Sequence, residues 1–157
     1  MTAPHAPAAL AALLVAAYVD RDGRQADALI NGLTDRQRQQ LLDALGALAR
    51  STRTAVSGAD GHVPGVGDAR SLDERVHEVL AQVTDVDTEA ALQSYLHRPR
   101  TMPGETPAAS AAEVTAMVHA SAAYAAVLME SRPIPPTVLA AGLRAMARHV
   151  QGPAPEQ

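Results

Sequence analysis

Residues 107–131 read PAASAAEVTAMVHASAAYAAVLMES, and this segment predicts the longest helix of the protein. It contains ten Ala, and its formal charges are confined to Glu113 near one end and Glu130 at the other. A helix that is apolar on all sides belongs in a core or an interface. We therefore predict a buried central helix, with Thr106 as its N-cap and Pro107 in its first turn.

One side of this segment carries larger side chains at helical spacing, while the other side is nearly all Ala and Ser. The larger side consists of Val114, Met117, Val118, Ser121, Tyr124, Ala125 and Leu128. Because the distance between packed helices depends on the side chains at the contact, the small side permits close approach. A membrane span is the competing interpretation, and Glu113, His119 and the weak hydrophobicity of Ala make it unfavourable.

Apolar residues at helical spacing predict further helices on both sides of this segment. They span residues 8–20, 24–32, 35–54, 72–83, 88–97 and 136–150. Two capping boxes, Thr34 with Gln37 and Ser71 with Glu74, mark helix starts. The apolar stripe of the last helix is predicted to be Leu139, Leu143, Met146 and Val150. The expected fold is an all-α, compact bundle of about six helices with a long Ala-rich central helix.

The chain is expected to form a single helical domain over residues 1–157. A Gly-rich loop, residues 57–70, would join two subdomains, residues 8–56 and 71–151, if the domain is divided. A weak internal sequence similarity suggests duplication of a three-helix unit. Five residues of the first unit match five of the second, namely Val15, Val19, Ala28, Leu29 and Leu33 with Val79, Val83, Ala91, Leu92 and Leu96.

The composition restricts how the core can be built. The chain contains 34 Ala, 16 Leu, 14 Val and three Tyr, and it has no Phe, Trp, Cys or Lys. Aromatic side chains normally bury the largest area per residue, so this core must consist of many small contacts between close helices. A protein partner or self-association is therefore expected to contribute to stability.

The missing residue types exclude several chemistries. Without Lys the chain has no Schiff-base amine and no phosphate-binding-loop lysine. Without Cys it has no thiol nucleophile, no disulfide, no iron–sulfur cluster and no Cys-ligated zinc. Because Phe and Trp are also absent, a platform that stacks nucleic-acid bases could use only Tyr, His and Arg.

The formal net charge of −4 comes from the middle of the chain. Residues 1–56 carry six Arg and five Asp, residues 57–106 carry four Arg and nine acidic residues, and residues 107–157 carry three of each sign. Because no segment is strongly basic, nucleic-acid binding is not expected. The apolar run 8–19 has no Lys or Arg before it, only His5, so it lacks the basic start of a signal peptide. It is also too short to cross a bilayer. We therefore predict a cytoplasmic protein without a membrane interaction.

A Glu-x-x-His pattern suggests a metal site, but the chain does not complete it. Glu74 and His77 have the spacing found in di-metal helical bundles, which need two such motifs and two more glutamates. Glu113 and His119 are six residues apart on the central helix and do not supply the second motif. A solvated helix face is therefore the favoured interpretation of Glu74 and His77.

Asp85, Asp87 and Glu89 resemble the start of a calcium loop. The sixth position of that loop, normally Gly, is Ala90, and the twelfth position, normally Glu, is Leu96. Turn and N-cap roles explain the two aspartates better.

Two loop motifs and one histidine complete the set of candidates. Gly65-Val66-Gly67 lacks the preceding strand, third glycine and Lys of a nucleotide site, which favours a linker. The basic cluster His97-Arg98-Pro99-Arg100 could dock a carboxylate, a phosphate or an acidic partner segment, but a solvated loop is favoured. A lone His in a helix such as His119 is more often a hydrogen-bonded core residue than a ligand. We therefore predict no catalytic, cofactor-binding or metal-binding residue, and no cofactor.

The leading functional hypothesis is a non-enzymatic helical protein-interaction module, such as an adaptor, assembly or regulatory factor. Its uncharged central helix and the shortage of bulky core residues favour a protein partner or a homo-oligomer. The alternative is a small-molecule-binding protein or enzyme with a pocket between helices, near His119, Tyr124 or His77. A second alternative is a helical DNA-binding regulator, which needs Arg144 and Arg148 on one outward face.

Overall fold

The structure, a computed structural model, describes residues 6–56, 72–85, 87–96, 110–132 and 134–151. These residues form seven helices and no strand, which confirms the predicted all-α bundle. The helices are α1 (Pro7–Val19), α2 (Gly23–Asn31), α3 (Asp35–Val56), α4 (Leu72–Val83), α5 (Thr88–Leu96), α6 (Ala111–Glu130) and α7 (Pro136–Gln151). The proposed loop 57–70, Ser71 and Thr106 lie outside the described residues.

Two helices, rather than one, form the centre of the bundle. The Ala-rich helix α6 packs against α1, α3, α4 and α5, as expected of a central helix. Helix α1 packs against α2, α3, α6 and α7, and every residue from Ala9 to Val19 except Leu13 is buried. The reason is visible in the sequence, since α1, like most of α6, carries no charge over its length.

Helix α6 begins later than predicted, and with 20 residues it is shorter than the 22-residue α3, so the prediction that it is the longest helix is wrong. Its N-cap is Ser110, whose hydroxyl accepts a hydrogen bond from the Glu113 amide at 3.2 Å, while the Glu113 carboxylate accepts one from the Ser110 amide at 2.8 Å. This reciprocal pair is a capping box, which satisfies two backbone donors and fixes the helix start. The predicted start at Pro107 is therefore wrong, because the Ser110–Glu113 box sets the first turn. The other described capping box, Thr34 with Gln37, is confirmed.

Helix α7 confirms only part of its predicted apolar stripe, because Leu143 is buried and Leu139 packs against the core, but the other two residues of the stripe are exposed. Ala140, Leu143 and Ala147 are buried, whereas Met146 and Val150 are 38% and 44% exposed. The cause is the small surface of α1, because Ala9 and Ala12 of α1 form a buried cluster with Ala147 of α7. Close packing of alanines therefore turns the bulkier stripe of α7 partly outward.

Arg21 links the turn between α1 and α2 to the rest of the bundle by hydrogen bonds. This residue has a left-handed backbone (φ 57°), which is uncommon for a residue with a side chain. Its guanidinium donates to the Tyr18 carbonyl at 2.5 Å, to both Glu130 carboxylate oxygens at 2.9 and 3.1 Å, and to the Gln82 side chain at 3.0 Å. These contacts hold α1 to the ends of α4 and α6. Helix α7 is held to the same turn by an ion pair between Arg144 and Asp20.

The helix contacts of the two predicted three-helix units are not the same. Helix α2 packs on α1, whereas its counterpart α5 packs on α6. This difference gives no support to internal duplication, which stays a prediction. The division into subdomains also stays a prediction.

Candidate functional site

An open apolar groove lies between the C-terminal half of α3 and helix α7. We name it the α3–α7 groove, and its volume is about 390 Å³. Its lining residues are Leu48, Ser51, Thr52, Ala55, Met129, Arg132, Ile134, Val138, Leu139, Gly142, Leu143 and Met146. The connection between α6 and α7 contributes Arg132 and Ile134, so the groove is bounded by helix ends on that side.

Both walls of the groove follow from helical spacing. The α3 wall consists of Leu48, Ser51, Thr52 and Ala55, which are three or four residues apart and therefore share one face. The Thr52 hydroxyl donates to the Leu48 carbonyl at 2.8 Å, so its hydrogen-bonding capacity is used within α3. The α7 wall carries Val138, Gly142 and Met146 at intervals of four residues.

The α7 wall exposes large apolar side chains to solvent. Val138 is 58% exposed and Met146 is 38% exposed, and both line the groove, whereas the exposed Val150 does not. Between them, a side chain added at Gly142 would meet no heavy atom within 4 Å. A contiguous apolar surface of this kind on a helix indicates a site of interaction more often than isolated exposed residues do.

Within the described part of the chain, Arg132 is the one charged residue that lines the groove. One of its terminal nitrogens donates to the carbonyl of Ala55 at 2.9 Å, in the last turn of α3. A guanidinium has five donors, so this bond leaves Arg132 able to accept a further partner. The groove therefore combines an apolar floor with a positive charge at one end.

The described residues that line the α3–α7 groove include no general acid or base. Its lining residues include no His, Asp, Glu or Tyr, and its hydroxyls have no base among the lining residues. Within the part of the chain that the structure describes, no three His, Asp or Glu side chains are grouped as metal ligands would be. Glu74 and His77 are exposed on α4. The described part of the groove can bind an apolar surface, and no acid or base accompanies its Ser51 and Thr52 hydroxyls there.

A second polar feature, the pair Tyr18–His119, lies in the core. The two residues are 0% and 2% exposed, and the Tyr18 hydroxyl lies 2.5 Å from His119 Nδ1. Burial raises the pKa of Tyr18, and the nearby negative charge of Asp27 adds to this shift. Burial lowers the pKa of His119, against a smaller opposing effect of Asp27. Both groups are therefore neutral near pH 7 and share one hydrogen bond, so His119 is a hydrogen-bonded core residue.

This pair predicts a pH-dependent stability. Because the folded protein holds the pKa of His119 below its unfolded value of about 6.5, the unfolded chain binds the extra proton first as the pH falls. We expect the free energy of unfolding to decrease below about pH 6.5 by up to ~1.4 kcal/mol per pH unit. Urea unfolding between about pH 7.5 and pH 5 measures it.

The variant His119→Gln is the control for this pH dependence. It keeps a hydrogen-bonding side chain beside Tyr18 and removes the titrating group. The exposed residues His77 and His149 are present in both proteins, so their contributions cancel. Equal slopes for the native protein and the variant over this range would contradict the assignment to His119.

The remaining predicted residues have structural roles where the structure describes them. The carboxylate of Asp87 accepts a hydrogen bond from the Ala90 amide at 3.0 Å at the start of α5, which confirms its N-cap role. Asp85 is exposed. The Gly65-Val66-Gly67 motif and the basic cluster 97–100 lie outside the described residues.

Sequence reasoning missed the groove, although one signal for it was present. Val138, Gly142 and Met146 recur at intervals of four, so α7 carries a second apolar stripe beside the predicted one. Tyr124, named with His119 and His77 as a pocket candidate, is half-buried and accepts a hydrogen bond from Arg53 at 3.3 Å. None of these three lines the groove.

One described helix, α6, is long and apolar enough to cross a membrane, and 61% of the relevant window is buried inside the fold. The core helix of a soluble protein meets the same criterion, so this finding is weak evidence for a membrane span.

Comparison of the chain with protein-family models, with curated proteins and with solved structures gives no match in any of the three.

Proposed function

We propose that this protein is a non-enzymatic interaction module that binds an amphipathic helix of a partner protein in the α3–α7 groove. The observation that carries the proposal is the exposure of Val138 and Met146 on the wall of an apolar groove. The side chains of two helix faces receive the apolar face of a third helix by the same packing that holds bundles together.

The location of the proposed interface differs from the sequence-based expectation. The apolar composition of α6 is one of the two reasons to expect a partner, but α1, α3, α4 and α5 cover most of this helix within the chain. Among the residues of α6, only Ala111 and Ala112 are exposed. The helix with an uncovered apolar face is instead α7, which packs on α1 by one face and leaves another exposed.

The two alternative functions have less support. A small-molecule pocket near His119 would need space beside that residue, which is instead packed in the core. The DNA-binding alternative needs Arg144 directed outward with Arg148, but Arg144 pairs with Asp20. A cytoplasmic location and the lack of a membrane interaction stay predictions.

We expect Met146→Asp to weaken binding of a helical peptide by more than tenfold. The probe is a synthetic amphipathic helix of roughly 18 residues, long enough to be partly helical alone, with an apolar face of Leu and uncharged flanks. A carboxylate in the apolar groove would lose its hydration without gaining a partner. NMR titration of the isotope-labelled protein locates the binding site and gives Kd.

Val150→Asp is the matched control, because Val150 is exposed on the same helix but outside the groove. Since both positions are exposed, each variant should change the free energy of unfolding by no more than about 0.5 kcal/mol. The proposal fails if the native protein does not bind the peptide at millimolar concentration, or if the shifted resonances lie away from the groove. It also fails if the two variants weaken binding equally.

A further inference from the structure

We infer that the helix bound in the α3–α7 groove is acidic, with carboxylates along its flanks and one of them against Arg132. This inference rests on the proposed function and names the chemistry of the partner. Among the described residues of the groove lining, Arg132 is the one that carries a charge.

The charge of the two groove walls supports an acidic partner. Residues 44–56 of α3 and residues 131–151, which contain α7, hold five Arg and no Asp or Glu. The whole chain has a formal net charge of −4, so this region is basic in an otherwise acidic protein. Its arginines are Arg50, Arg53, Arg132, Arg144 and Arg148.

These arginines differ in what they can offer a partner. Arg144 is paired with Asp20 and is therefore largely neutralised. Arg132 and Arg53 each donate to an uncharged oxygen, that of the Ala55 carbonyl and that of the Tyr124 hydroxyl. Both guanidiniums keep their full positive charge, and that of Arg132 lies in the groove lining, so a carboxylate there would be attracted and an ammonium repelled.

The apolar floor favours a protein helix over a nucleic acid. A phosphate backbone is bound by positive charge alone and gains nothing from Leu48, Leu143 or Met129. An amphipathic helix uses both features, with apolar side chains in the groove and carboxylates at its edges. A helix is also preferred to an extended strand, because the described residues offer no sheet edge.

The test compares three peptides with the same apolar face and with Glu, uncharged or Lys flanks. We expect the Glu peptide to bind at least tenfold more tightly than the Lys peptide at about 50 mM salt, and the difference to shrink at about 500 mM salt. Arg132→Gln should reduce the ratio of the affinities for the Glu and Lys peptides several-fold. Arg24→Gln, an equal change of charge at an exposed site on α2, is the control.

The outcomes separate this inference from the proposed function. Equal affinity for all three peptides would overturn the acidic partner and leave the groove as a helix-binding site. Binding of duplex DNA in preference to the Glu peptide would overturn it in favour of a nucleic acid. If sedimentation shows a dimer that Met146→Asp dissociates and Val150→Asp does not, the occupant is a second copy of the chain, and the inference fails. Failure of the uncharged peptide to bind would instead remove the proposed function itself.

Discussion

Replacing Tyr18 with Ala is expected to lower the free energy of unfolding by about 3–5 kcal/mol, as truncation of a buried aromatic side chain does. Tyr18 is the largest fully buried side chain of the described residues, and it lies where α1 packs on α6. The chain has no Phe or Trp to compensate for the lost volume. The change also leaves His119 Nδ1 without its hydrogen bond. Urea unfolding at pH 7 measures the effect.

Tyr18→Phe separates the two parts of this effect. It keeps the ring and removes only the hydroxyl, so we expect a loss of about 1–3 kcal/mol from the unsatisfied nitrogen of His119. The order of stability should be native, then Tyr18→Phe, then Tyr18→Ala. A loss below about 1 kcal/mol for Tyr18→Ala would mean that the α1–α6 contact is not the centre of the core.

Local signals predicted the helices well, because helix starts and apolar periodicity depend on neighbouring residues. The Thr34–Gln37 box lies at the start of α3, and α4 spans the predicted residues. The start of α6 is also predictable from neighbouring residues, since Ser110 and Glu113 have the spacing of a capping box.

Features that depend on distant residues could not be predicted in this way. Tyr18 and His119 are 101 positions apart, and neither has a local pattern that identifies the other. The buried face of α7 depends on the alanines of α1, because either apolar stripe of α7 satisfies its periodicity. The groove exists because this choice leaves Val138 and Met146 on the open side. Function was therefore less predictable than fold, since the proposed site is a consequence of packing.

The packing of α7 can be tested with Ala12→Leu, the second large change that we predict. Ala12 is fully buried in α1 and clusters with Ala9 and Ala147, so the extra carbons have no space. Overpacking of this kind costs about 1–3 kcal/mol, because α7 must move or the new side chain must adopt a strained rotamer. Since α7 supplies Val138, Gly142 and Met146 to the groove, its displacement should also weaken peptide binding.

The control is Ala141→Leu, which adds the same atoms at an exposed position of α7 and should change stability by less than about 0.5 kcal/mol. Ala12 does not line the groove, so any loss of peptide affinity in Ala12→Leu must be transmitted through the position of α7. A variant with lower stability and full affinity would show that the groove tolerates movement of α7. A variant unchanged in both would show that the alanine contact does not set the distance between α1 and α7. Loss of both would tie the proposed interaction site to the small residues that fill the core of this protein.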